Sequence, residues 1–233
     1  MMHLAVLLVV TLAVPVVDHS ALDSLLRENV RDGLVDYRHL RAARLAELDR
    51  YLDRLAAIRS EALPRAEQLA FDLDLYNASM IRAVIARLDG SWSPSDSGFA
   101  VFHESLVRTA GGTISLDSLE RGIIRARFRE PRVHVALGCA ARSCPPLLSR
   151  AYRGADLDRT LEKNLIAFAS DPRRNRGDAA SRTLWLSPIF KWYEADFAPL
   201  GGPVAILSRA LGRDFRGWRV AWLDYDWSLN AAP

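Results

Sequence analysis

Cysteine is scarce in this 233-residue chain: there are two, Cys139 and Cys144, five positions apart. Any thiol chemistry or disulfide is therefore confined to one stretch. Clustered positive charge is also scarce. The formal net charge is only +3, carried almost wholly by arginine dispersed among acids. A nucleic-acid binder concentrates its charge on one face or arm. The one local run, Asp171-Pro172-Arg173-Arg174-Asn175-Arg176-Gly177-Asp178, carries the Pro, Gly and Asn of a solvated loop. Nucleic acid is not an expected partner. Beyond the N-terminus no apolar run is long enough to cross a bilayer, so no stable membrane span is expected. Internal repeats and low-complexity tracts are absent. Half the residues are hydrophobic and a quarter charged, which excludes a disordered chain and supplies one ordinary core.

The N-terminus holds the one long apolar run, Leu4 to Val17. It is too short for an ordinary membrane-spanning helix and suits the hydrophobic region of a secretory signal, with cleavage after Ala13 or a few residues later. Only Met1, Met2 and His3 precede it, so the terminal amine supplies the positive charge. The reading is a signal peptide over 1–19 and a single domain over 20–233, exported to the periplasm or secreted. A buried N-terminal strand or a membrane-surface anchor is the alternative.

Apolar residues then recur at helical spacing. Leu22, Leu25 and Leu26 mark a short helix from Ser20 that Arg31-Asp32-Gly33 breaks. Leu45, Leu48, Tyr51, Leu52, Leu55 and Ile58 mark a long one that Pro64 ends. A third runs from about Ala66 to Leu88 along Leu69, Leu73, Met80, Ile81 and Val84, with Tyr76 or Asn77 on the same stripe. Ser91 to Gly98 is loop by composition. Phe99 to Val107 reads as a strand, and Ser115 caps a helix carrying Leu116, Leu119, Ile123 and Ile124. The back half alternates a helix near 156–168, a strand at Thr183–Leu186, a short helix opened by Ser187-Pro188, a helix ended by Gly212 and a last strand at Trp218–Leu223. The fold class is α+β: a helical N-terminal half packed on a small mixed sheet of three to five strands.

Both cysteines fall in Arg132-Val133-His134-Val135-Ala136-Leu137-Gly138-Cys139-Ala140-Ala141-Arg142-Ser143-Cys144-Pro145-Pro146. Alternation of Val133, Val135 and Leu137 predicts a strand with His134 on its other face. Ser-Cys-Pro-Pro reads as a turn into a helix through Tyr152, with Ser143 as cap.

Several ordered motifs resemble one family, the domain of unknown function 547. They are Gly33-Leu34-Val35-Asp36-Tyr37; Ala70-Phe71 with Leu75-Tyr76-Asn77-Ala78; Ile114-Ser115-Leu116-Asp117 with Glu120; His134 with Cys139; and Ser143-Cys144-Pro145-Pro146-Leu147. Leu186-Ser187-Pro188-Ile189-Phe190-Lys191-Trp192-Tyr193 with Asp196-Phe197, and Tyr225-Asp226-Trp227-Ser228-Leu229-Asn230, complete the set. The resemblance implies no activity. It also marks departures: Asp72 stands where the family usually has tryptophan, Asp74 for asparagine, Ala140 for glycine and Arg121 for a histidine after Glu120. If that histidine is the family's working one, this member has lost it and is expected to be a binding protein or an inactive relative.

The residues themselves permit three chemistries. A thiol at a helix N-terminus, near Arg142, is pushed towards thiolate, so Cys144 is the expected nucleophile. It needs an oriented base: His134 first, His103 second, with Asn77, Glu120 or Asp74 as orienter. Alternatively Cys139 and Cys144 form a structural disulfide, as two nearby cysteines in an exported protein do. A zinc set of His103, His134, Cys139 and Cys144 has the right ligand types but no common spacing; neither a metal nor another cofactor is expected. The leading reading is a thiol-dependent hydrolase or transferase using Cys144 with His134. The alternative is a non-catalytic binding or scaffold domain stapled by Cys139–Cys144. A peptide, amide or glycan is the ligand class. Trp185, Trp192, Tyr193, Trp222, Tyr225 and Trp227 crowd the C-terminal region and are read as core in preference to a contact surface.

Overall fold

The structure is a computed structural model that describes residues 16–88 and 91–233. The apolar leader up to Pro15 lies outside the described residues. The packed unit has begun by Val17, which is buried and donates its N–H to Glu67 Oε1 at 2.9 Å. His19 is buried too, against Tyr51 and Asp74. The expected start at residue 20 thus falls inside the folded unit.

One helix, Arg65–Ile85, organises the rest. From Glu67 to Ile85 every residue except Arg82 is buried, so neighbours surround it on all sides. An all-round buried helix is normally apolar. This one carries Glu67, Asp74 and Asn77, each bonded to a backbone group of a surrounding loop. Glu67 accepts from Val17 and from Gly154 (2.9 Å); Asp74 accepts from Tyr152 N–H (3.0 Å). The polar side chains anchor irregular loops whose backbone would otherwise be buried unpaired.

The helix Ser20–Asn29 leads into a hairpin, β1 (Val30–Arg31) and β2 (Leu34–Val35). Its turn residues Asp32 and Gly33 both have positive φ, 51° and 79°. Asp-Gly favours this primed turn. A side chain on Gly33 would also sit 2.7 Å from Pro146 Cα, so glycine lets the hairpin press on the Ser-Cys-Pro-Pro segment. The second helical stretch runs from Tyr37 through a π turn at Leu40–Arg44 to Ala56. Pro64 precedes the central helix instead of ending this one.

The strands are more dispersed than one sheet. β3 (Ser105–Thr109) and β4 (Gly112–Ser115) form a second hairpin. β5 (Arg176–Asp178), β6 (Thr183–Leu186) and β7 (Arg219–Trp222) form a mixed sheet, β5 antiparallel and β7 parallel to β6. The class is α+β, with three small sheets in place of one. A large core surrounds the central helix. A smaller one gathers Phe168, Leu184, Phe190, Phe197 and Ile206 beneath the mixed sheet. Phe99 was expected in a strand; it stands before a right-handed turn that ends at His103, and β3 starts at Ser105. Ser97, Gly98 and Phe99 are consecutively left-handed, with φ 52°, 68° and 65°. For a phenylalanine that conformation costs on the order of 1–2 kcal/mol.

Two expectations at the cysteine stretch fail. Pro131–Val135 is a 3₁₀ helix, not a strand. Glu130 caps it by accepting Arg132 N–H (3.0 Å), and Pro131 takes the first helical position. That local cap overrides the alternation, and residues of both parities, Val133 to Leu137, are buried. No helix follows Cys144: the backbone N–H groups of Ala151, Tyr152 and Gly154 are held instead by the side chains of Asp23, Asp74 and Glu67. Ser143 instead pairs with the C-terminal tail. Its N–H donates to Asp226 O (3.1 Å), and its hydroxyl accepts Asp226 N–H (2.9 Å).

Candidate functional site

The loop 136–144 is held from three directions. Asn77 Nδ2 donates to Ala136 O (3.0 Å), and Asn77 Oδ1 accepts Gly138 N–H (2.8 Å). One side chain thus clamps both ends of the peptide run before Cys139. Arg174 Nη2 donates to Cys144 O (2.8 Å) and Arg142 O (3.1 Å). Asp171 neutralises that guanidinium in a near-buried pair. From the tail, Asn230 N–H donates to Ala140 O and Arg142 N–H to Ser228 O, both 2.9 Å. The basic loop therefore turns one arginine inward, where it secures the cysteine loop.

Within this frame Cys139 and Cys144 are free thiols, Cys144 buried and Cys139 half-buried. Cys139 N–H donates to Cys144 Sγ at 2.7 Å, and Cys144 Sγ lies 3.8 Å from Leu137 O. The Tyr225 hydroxyl is 3.3 Å from Cys139 Sγ. Burial disfavours a thiolate on either sulfur. At Cys139 hydrogen bonds from the Cys144 thiol, the Tyr225 hydroxyl and the backbone outweigh burial, and its pKa falls below the ordinary thiol value. At Cys144 burial and the neighbouring Cys139 push the pKa well up. The two sulfurs are coupled, and the half-buried Cys139 is the more acidic of them. The expectation that Cys144 is the activated thiol rested on a helix that is absent.

His134 is buried and stacks on Tyr193, ring centroids 3.6 Å apart at 16°. Its Nε2 is 2.7 Å from Asp196 Oδ2, which also accepts from Arg125 Nε at 2.8 Å. Burial depresses the His134 pKa to about 4, although Asp196 pulls the other way. Arg125 and His134 hold the Asp196 carboxyl low against partial burial. The imidazole is thus neutral and Asp196 ionised. Nε2–H donates to Asp196, leaving the Nδ1 lone pair free to accept a proton. Tyr193 in turn donates its hydroxyl to Glu120 Oε1 (3.0 Å), whose pKa burial raises.

A cavity of about 270 Å³ joins these groups. His134, Cys139, Cys144, Glu120, Tyr193 and Tyr225 line it, with His103, Asp117 and Arg121. Among the described residues, His134 makes no hydrogen bond to either sulfur; the groups share a chamber. Of the expected site residues, Cys144, His134 and Glu120 meet there. Glu120 reaches His134 only through Tyr193. Asn77 positions the loop and does not orient the imidazole. Asp74 is engaged with Tyr152 and His19. The orienting carboxylate is Asp196, whose only sequence signal was its place beside Phe197 in the family motif. Trp192, Tyr193, Tyr225 and Trp227, expected as core, line the chamber, and Trp192 is 49 % exposed. Among the described residues no group of three or more His, Cys, Asp or Glu side chains is arranged to hold a metal ion. No helix there is long and apolar enough to cross a membrane.

The family model for a protein of unknown function, DUF547, matches residues 60–169. That span contains Asn77, Glu120, His134 and both cysteines; Tyr193, Asp196, Tyr225 and Trp227 lie beyond it. No curated protein and no solved structure matches the chain.

Proposed function

We propose, from the chamber itself, a thiol-dependent acyl hydrolase or transferase in a chain whose residues 60–169 match the DUF547 family model, described only as of unknown function. The observation that carries the reading is the pinned thiol pair, which shares one chamber with a carboxylate-oriented neutral histidine. Cys139 is the attacking sulfur, and Cys144 is its hydrogen-bonded neighbour.

In this scheme the N–H groups and the Tyr225 hydroxyl favour the thiolate form of Cys139 as the attacking species. The sulfur attacks an acyl carbon, a carbon–sulfur bond forms, and the bond to the leaving group breaks. The leaving group takes its proton from solvent. His134 Nδ1 then accepts a proton from an incoming water or alcohol, whose oxygen attacks the thioester and releases the thiolate. The proton on His134 returns to solvent. A neutral His134 supplies no proton to a departing amine, so an ester or thioester suits the chamber better than an amide. The Tyr225 hydroxyl, beside the sulfur, is placed to donate to the developing oxyanion.

The test is incubation with p-nitrophenyl acetate and an acetyl thioester, followed by intact-protein and peptide mass spectrometry. An acyl adduct on Cys139 that turns over, and is lost in Cys139→Ser, supports the reading. A protein two hydrogens lighter that takes no acyl group favours a stapled scaffold instead. We further propose export, with cleavage ahead of Val16 so that Val17 and His19 keep their buried places. N-terminal sequencing of protein recovered from outside the cytoplasm checks it.

A further inference from the structure

The chamber's mouth has features that acyl chemistry alone does not require. Phe99, 37 % exposed, and Trp192, 49 % exposed, are among the few large apolar side chains left in solvent, and both line the chamber. They belong to one aromatic wall. Phe99 meets Trp227 edge to face at 4.8 Å, and Trp227 lies nearly parallel to Trp192 at 5.9 Å and 20°. Phe99 stands in the wall at the end of a run, Ser97, Gly98 and Phe99, that is left-handed throughout. Neither Ser97 nor Phe99 takes that backbone cheaply, so the fold maintains strain to present an aromatic ring at an opening.

The other lining side chains select among ligands. Asp117 is already ion-paired with Arg121 at 2.8 Å, and Glu120 accepts from Tyr193. No unpaired carboxylate is left for an ammonium group, which argues against a cation cage. A bare hydrocarbon chain would leave Asp117, Arg121, Glu120 and His103 without purpose beside it. An aromatic platform rimmed by planar, multiply hydrogen-bonding side chains matches a ring that is apolar on its faces and hydroxylated at its edge.

We propose that Phe99, Trp192 and Trp227 form a platform for a neutral saccharide ring, whose hydroxyls are met by the Asp117–Arg121 pair and His103. Resting on the acyl-transfer reading, the ring is the part of the substrate that carries the acyl group, and the platform sets it beside Cys139. Binding of the ring needs no thiol and can be measured alone.

The probes are methyl glycosides of glucose, N-acetylglucosamine, galactose and rhamnose, followed by saturation-transfer NMR on the ring protons. At least one is expected to bind saturably, with Cys139→Ser protein binding as the wild type does. Trp192→Ala should weaken that glycoside by about tenfold, and Trp192→Phe should restore much of the loss. Phe99→Gly, which removes the ring that meets Trp227, should also weaken binding. Binding by none of the four glycosides, or binding indifferent to Trp192→Ala, overturns the platform. Saccharide binding without any acyl adduct on Cys139 leaves the platform standing and overturns the chemistry.

Discussion

Asp72 offers a quantitative test that does not depend on function. It sits on the central helix, 2 % exposed, with Oδ2 buried and without a hydrogen-bond partner among the described residues. Burial raises its pKa from 3.8 to about 7, with Arg127 opposing and Glu61 reinforcing. A carboxyl raised on folding is protonated in the native state over a range where the unfolded chain has already ionised. Stability is therefore intact below about pH 4, is lost as pH rises, and levels off above about pH 7. Each pH unit of that interval is worth about 1.4 kcal/mol, so the loss approaches roughly 4 kcal/mol. Asp72→Asn removes the charge and keeps the shape. Urea unfolding at about pH 4 and about pH 8 should give stabilities within about 1 kcal/mol for the two proteins at the lower pH. At the higher pH the variant should be more stable by several kcal/mol. Parallel pH profiles for wild type and variant would show that Asp72 is solvated or partnered, and would refute the reasoning.

Three further outcomes follow from the site. Asn77→Ala strands Gly138 N–H and Ala136 O, and should cost about 3 kcal/mol in chemical denaturation. Arg174→Met releases the carbonyls of Cys144 and Arg142. Peptide mapping should then show alkylation of the otherwise protected Cys144. Asp196→Asn disturbs the imidazole's orientation but not the groups that favour thiolate on Cys139. Stopped-flow acylation should be little changed, while thioester hydrolysis slows on the order of a hundredfold.

Much of the fold was legible because its signals were local. Helical stripes located the helices within a few residues, and Asp-Gly, Ser-Pro and Gly212 marked their turns. At Pro131–Val135 the sequence carried two signals, β-type alternation and a Glu-Pro helix start, and the cap prevailed. Pro145-Pro146 looked like a helix entrance, but carboxylates from distant helices take the backbone N–H groups of Ala151, Tyr152 and Gly154. The candidate site was half legible. Cysteine scarcity pointed to the right loop, and His134 to the right chamber. Asp196 and Tyr225 could not be assigned to it by spacing, since they approach from 62 residues after His134 and 86 after Cys139. Asn77 showed itself as a polar residue on an apolar stripe, yet only the fold reveals that its amide grips a loop 59 and 61 residues away. The aromatic residues near the C-terminus mislead by type: tryptophan suggests core, and here Trp192 and Trp227 frame an opening.

The chemistry proposed for the chamber turns on Cys139 being the more acidic of the two sulfurs. Site-resolved alkylation with iodoacetamide, followed by peptide mass spectrometry across pH, measures this directly. Cys139 is expected to react with a midpoint below that of an ordinary thiol while Cys144 stays unmodified in the folded protein, and Tyr225→Phe is expected to move the Cys139 midpoint upward. Preferential modification of Cys144, or a Cys139 midpoint at or above the ordinary thiol value, would contradict it.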